Sequence, residues 1–110
     1  MKSDRELLAL AAKAAGYTIH ENGHDINGIP WLWCDEIEDN WYPLYGDGNA
    51  LRLAVMLDMS IEVNRVDEMV TVTSGYNGEH RVVEVFGDCM FAATRRAIVR
   101  AAAAIGEAIQ

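Results

Sequence analysis

The chain has 110 residues, 51% of them hydrophobic, which is a single-domain length with enough apolar content for one core without metal or disulfide support. Seventeen Asp and Glu against nine Lys and Arg leave a net charge of −8, which argues against an autonomous nucleic-acid binder, because neutralising phosphates takes a basic footprint. Two cysteines, Cys34 and Cys89, fit no metal knuckle and make no disulfide framework, so reduced thiols in a cytoplasmic protein are expected.

The first segment, Ser3-Asp4-Arg5-Glu6, spells a capping box, and the helix it opens should run from Asp4 to Ala15 and stop at Gly16. Leu7, Leu10, Ala11 and Ala14 share one face at helical spacing, with Arg5, Ala9 and Ala12 opposite. Charges at Asp4, Arg5, Glu6 and Lys13 break up the apolar run that a secretory signal needs, and no window reaches the length of a membrane span.

Residues 17–20 read as a short strand, followed by Asn22-Gly23, a strong signal for a two-residue hairpin turn. The returning strand uses either His24–Ile26 or Ile29–Trp33. Residues 34–49 read as a long loop. The second helix is expected over Asn49–Leu57, capped by Asp47 or Asn49, with Ala50, Leu51, Ala54 and Leu57 along a stripe and only Arg52 and Met56 clearly facing away. Three alternating strands follow, Ser60–Asn64, Met69–Thr73 and Arg81–Phe86, with a turn at Ser74–Gly78. Gly87-Asp88 opens the last helix, with Asp88 as cap and Phe91, Thr94, Ile98, Ala101, Ala102, Ile105 and Ile109 along its buried stripe. The whole is an α+β domain over residues 1–110: three helices on a mainly antiparallel sheet of four or five strands.

Residues 20–24, His-Glu-Asn-Gly-His, have the spelling of a zinc protease, whose two histidines share one face of a helix. Asn-Gly between them is unfavourable in a helix, and a reversal at Asn22-Gly23 sends the imidazoles to opposite faces. A metal-dependent hydrolase is therefore the weakest of the alternatives, and no metal or cofactor is expected. Gly46-Asp47-Gly48 precedes a helix but has Leu51 where a dinucleotide fingerprint has its third glycine, and Asp47 stands where an anion would sit. Ser60, Ser74, Cys34 and Cys89 carry no nucleophile signature.

Two features stand out as candidate partner contacts. Trp31, Trp33 and Trp41 are clustered, with Tyr42 and Tyr45 close behind, beside Asp35, Glu36, Glu38 and Asp39; from Ala14 to Leu51 there is no Lys or Arg but there are seven acids. Aromatics beside acids suit an interface, and they equally suit the closing of one end of a small core. Arg95, Arg96 and Arg100 are the one concentrated positive charge; they bind an acidic partner or pair with the chain's own acids. The segment Ala101–Ala104 allows close approach of the first helix or of a second copy.

Residues 41–63, WYPLYGDGNALRLAVMLDMSIEV, residues 91–109, FAATRRAIVRAAAAIGEAI, and the opening SDRELLALAAKAAGY resemble signature blocks of small proteins of tailed bacteriophages and prophages, of the phage ABA sandwich type. The resemblance implies a sheet with helices on both faces, and it carries no catalytic residues. Together these features lead to the expectation of a non-enzymatic phage accessory protein that works by protein contact in the cytoplasm of its bacterial host, as an inhibitor or adaptor of a host defence protein. The alternative is a phage assembly protein that self-associates as a homodimer. Neither nucleic acid nor membrane is an expected partner.

Overall fold

A computed structural model of the chain describes residues 2–75 and 78–109. Three helices, α1 (Asp4–Ala15), α2 (Asp47–Met56) and α3 (Met90–Ala108), alternate with two runs of three strands. The first run is β1 (Ile19–His24), β2 (Pro30–Cys34) and β3 (Asp39–Asn40); the second is β4 (Ser60–Asn64), β5 (Met69–Ser74) and β6 (His80–Val85). Each run forms its own antiparallel sheet in sequence order. The α+β class, the helix order and the last three strands agree with the sequence. The strands are divided between two sheets, where the sequence suggested four or five in one, and a sixth, β3, arises within the stretch read as loop: Asp39 and Asn40 pair with Cys34 and Trp33.

α1 forms as its capping box dictates. Ser3 Oγ accepts from the Glu6 amide, Glu6 returns to the Ser3 amide, and Gly16 ends the helix with φ 74°. Its buried residues are Leu8, Ala11 and Ala12, so Ala12 faces inward and the stripe is rotated from the expected one. The cause is α3, which lies alongside in the same direction, with Asp4 beside Arg96, Gly106 against Leu10 and Lys13 bonded to the Ile109 carbonyl. A Cβ at Gly106 would stand 1.9 Å from the Leu10 carbonyl oxygen, so the two backbones touch. α3 is buried on two sides, against α1 and against β5 and β6, so Ala93, Ala97, Ala101, Ala102 and Ala103 all lie inside. Phe91 and Ile109, expected on its core stripe, are 59% and 42% exposed.

β5 alternates as expected, burying Val70, Val72 and Ser74 beneath α3. β4 alternates in sequence yet is exposed throughout. It is one of the two edge strands, and its Ile61 and Val63 open onto a groove shared with α2 and α3 instead of packing beneath a helix. Helices cover one face of the second sheet; its other face presents Glu62, Arg81, Val83 and Val85 to solvent. The turn expected at Ser74–Gly78 begins after Ser74, which is still in β5, and its central residues 76–77 lie outside the described residues.

Two helix starts differ from expectation. α2 begins at Asp47 with Gly46 as cap, and α3 begins at Met90 with Cys89 as cap; neither cap uses a side-chain hydrogen bond, so neither Asp47, Asn49 nor Asp88 fills that role. α2 buries Ala50, Leu53 and Ala54 and leaves Leu51, Val55 and Met56 exposed, so the cover expected over most of it is absent. One continuous core joins Leu8 and Ala11 to Leu32, Cys34 and Trp41 of the first sheet and to Val70, Val72 and Ile98. Cys34 is buried, Cys89 is exposed, and both are free. Among the described residues no helix is long and apolar enough to cross a membrane.

Candidate functional site

The first sheet carries most of the residues marked out by sequence, and a bulge decides where they point. His20 pairs with Trp33 and Glu21 with Leu32, but His24 pairs with Pro30, so β1 holds one extra residue. Asn22 and Gly23 together stand opposite Trp31, forming a β-bulge. The chain does not reverse at Asn22-Gly23. It reverses at Asp25–Ile29, where Asp25 Oδ1 accepts from the amides of Asn27 (2.8 Å) and Ile29 (2.9 Å). Asn-Gly serves a bulge as well as a turn because both need a residue at positive φ, and Gly23 has φ 129°. Its missing Cβ also makes room for the Trp31 ring, whose Cε3 would lie 3.2 Å from a methyl there.

This geometry governs the two histidines. Directly opposed residues of an antiparallel pair share a face. His20 therefore goes with Trp33 on the outer face, and His24 with Pro30 on the inner one. Without the bulge, positions four apart in a strand would share a face. The imidazoles diverge, for a reason other than the expected hairpin. His20 Nε2 instead lies 2.9 Å from Asp35 Oδ2. Among the described residues no three His, Cys, Asp or Glu side chains gather as a metal-holding group.

The aromatic residues separate into two groups. Trp41 is 2% exposed and stacks edge-on against Tyr17 at 5.7 Å, so it belongs to the core and not to a surface. Trp31, Tyr42 and Tyr45 are 57%, 50% and 54% exposed. They border a groove of about 420 Å³ between the first sheet and the 42–46 loop, with Leu8, Leu32 and Leu44 among its apolar lining and Asp25 as the one charge among its described lining residues. The loop is held by backbone bonds from the Tyr45 and Gly46 amides to the Tyr42 carbonyl. The Tyr42 ring lies so close over Gly46 that a Cβ there would meet it at 3.1 Å. Burial pushes the Tyr45 phenol above its ordinary pKa, and the carboxylates of Asp25 and Asp4 push it the same way, with Arg96 opposing. Trp33 is half-exposed on the outer face of the sheet beside His20 and Asp35.

The acidic turn 35–38 and Asp39 sit at the far end of β2 from this groove. Only part of the turn is free. Glu36 accepts from the Thr18 amide at 2.6 Å and from the Thr18 hydroxyl at 3.0 Å, tying the turn to the start of β1. The Thr18 amide bond holds the Glu36 carboxyl below the usual pKa of a glutamate. Asp35 faces His20, Asp39 Oδ1 accepts from the Asn40 amide, and Glu38 occupies a left-handed turn position at φ 51°. The three arginines are engaged within the chain. Arg95 donates to the Leu44 carbonyl (2.9 Å) and to Asp47 (2.6 Å), Arg96 pairs with Asp4, and Arg100 with Glu84. Arg95 is thereby set apart, while Arg96 and Arg100 border one shallow surface depression with Lys2, Glu84 and Glu107.

Of the aromatic residues marked out by sequence, Trp31, Tyr42 and Tyr45 line the groove and Trp41 lies in the core, while Asp25, counted in the sequence only among the acids, joins the groove. The signal for Asp25 was present in Asp-Ile-Asn-Gly, an aspartate that closes a turn on the amide two residues later. Comparison of the chain with family models, with curated proteins and with solved structures finds no match.

Proposed function

We propose that this chain is a phage or prophage accessory protein that acts by binding another protein in the host cytoplasm, through the aromatic groove between the first sheet and the 42–46 loop. One observation carries this: three large aromatic side chains stand half-exposed around a single groove in a stretch of chain without any Lys or Arg. A small domain gains stability by burying such rings, and Trp and Tyr are the residues that most often anchor interfaces. The resemblance of residues 41–63 and 91–109 to phage proteins supports the setting, and inhibition of a host defence protein is the form of contact that suits it. No catalytic constellation is needed for this role. The test is affinity capture from a bacterial host lysate. A specific partner retained by the native protein should be lost with Trp31→Ala and Tyr45→Ala, and kept when Glu38 and Asp39 are changed to Asn. A partner indifferent to both groove variants refutes the proposal.

A second reading, an assembly protein that self-associates, is favoured by a different surface. The alanine-rich segment of α3 is consumed by α1, so it offers no free face. Leu51, Ile61, Val63 and Phe91, however, line an uncovered apolar groove between α2, β4 and α3. Light scattering over a range of concentrations decides: a dimer abolished by Phe91→Glu supports assembly, and a constant monomer removes it.

A further inference from the structure

The aromatic groove has a chemical preference that narrows its occupant. The rings of Trp31, Tyr42 and Tyr45 line it together with aliphatic residues such as Leu32 and Leu44, and among its described lining residues Asp25 is the only charge. Asp25 Oδ1 is occupied by two backbone amides, which fixes the carboxylate and leaves Oδ2 as its remaining acceptor. No ion pair to Asp25 occurs among the described residues. Arg95, which bonds the carbonyl of the groove residue Leu44, is also held by Asp47, and Arg96 is paired with Asp4. From Ala14 to Leu51 every charged residue is an acid.

We propose that this groove takes an arginine side chain from an extended basic segment of a protein partner. The inference rests on the groove being the binding surface. Aromatic faces attract a cation through their quadrupoles, and a fixed carboxylate supplies a directional acceptor at one side. Guanidinium suits both better than ammonium does, because it is planar, weakly hydrated and able to stack while its edge donates. An anionic ligand would meet Asp25 with like charge. A wholly apolar segment would cover Oδ2 without giving it a partner, which is costly. The volume of about 420 Å³ accommodates one long side chain with its flanking backbone and lies within the ordinary range for ligand pockets, roughly 300–1,000 Å³. The partner segment gains little from strand addition here: Pro30 lines the groove and has no N–H to offer. Specificity therefore falls to the side chain.

The test uses a short Gly/Ser peptide with one central arginine and the same peptide with citrulline, titrated into the whole protein and followed by the indole N–H signals in NMR. The arginine peptide should give a saturable shift of the Trp31 indole, and citrulline should weaken binding by about tenfold or more. Asp25→Asn keeps the Oδ1 acceptor that closes the turn and removes the charge. It should weaken the arginine peptide to the level of citrulline and leave the citrulline peptide unchanged. Equal binding of the two peptides overturns the inference, as does the absence of a saturable shift up to about 10 mM peptide. A response confined to Trp33 also overturns it. With a captured partner the two levels separate. Binding lost in Trp31→Ala but indifferent to Asp25→Asn keeps the groove as the interface and removes arginine as its occupant. Binding indifferent to Trp31→Ala removes the groove itself.

Discussion

Replacing Gly106 by alanine tests the close backbone approach of α1 and α3. In an isolated helix this change is favourable by about 1 kcal/mol, because glycine has more backbone freedom to lose. Here the new methyl would lie 1.9 Å from the Leu10 carbonyl oxygen and 2.8 Å from its carbon. Both atoms are backbone, so no side-chain rotation relieves the overlap. To reach ordinary contact α1 and α3 must separate by more than about 1 Å, which loosens packing along the whole small-residue seam. Overpacking of this kind costs about 1–3 kcal/mol and more where backbone must move. A backbone overlap belongs at the upper end, about 3 kcal/mol; less the propensity gain of about 1 kcal/mol, a net loss of about 2 kcal/mol is expected, a large share of the roughly 5–15 kcal/mol that holds such a domain together. Urea denaturation should show a lower midpoint at unchanged slope. Gly48→Ala is the control: nothing lies within 4 Å of its added methyl, in the first turn of α2. It should be neutral or stabilising by up to about 1 kcal/mol. A Gly106→Ala protein as stable as Gly48→Ala would refute the backbone contact between the helices.

At the bulge, Gly23→Ala combines a positive φ with a methyl pressed on Trp31, and should cost about 1–3 kcal/mol in thermal unfolding while shifting the tryptophan emission. An unchanged melting temperature and spectrum would mean that the ring does not rest there. Glu36 titrates below the ordinary glutamate value, so its bonds to Thr18 stabilise the fold fully above the unfolded pKa of about 4.3 and are lost as pH falls through the lower folded value. Urea midpoints measured on both sides of that pH should therefore fall less steeply on acidification in Glu36→Gln than in the native protein, and identical profiles would contradict the assignment. Arg95→Gln should destabilise by about 1–2 kcal/mol by leaving the Leu44 carbonyl without its charged donor, whereas Asp47→Asn, at a largely exposed carboxylate, should cost no more than about 0.5 kcal/mol. Equal losses in a melting experiment would place the energy in the ion pair instead.

The parts of the fold most legible in the sequence are those whose signals are local. Ser3 and Glu6 set the start of α1, Gly16 set its end, and alternation gave β4, β5 and β6 to within a residue. What escaped depends on neighbours distant in sequence. Ala12 turns inward because α3 lies there, and Phe91 is left at the rim of the open groove beside β4. Asn22-Gly23 was ambiguous in principle, since turn and bulge need the same backbone freedom; the pairing partners of His20 and His24 alone distinguish them. The site followed the same rule. Trp31, Trp33 and Trp41 are equivalent in a composition, and only the register and the Tyr17 contact assign Trp41 to the core. Arg95, Arg96 and Arg100 looked like a cluster because they are close in sequence, while each found a separate acid on another segment.

The side-by-side seating of α1 and α3 has a consequence for the order of events as the polypeptide folds. Residues 10 and 106 meet backbone to backbone, so α1 has no seat until the segment around residue 106 has been made. Closing so long a loop is slow, and it leaves the strand hairpins with their apolar sides in water in the meantime. The domain should therefore acquire its structure only once the segment around residue 106 has emerged, and a nascent chain that stops short of it should be an early substrate for chaperones and proteases.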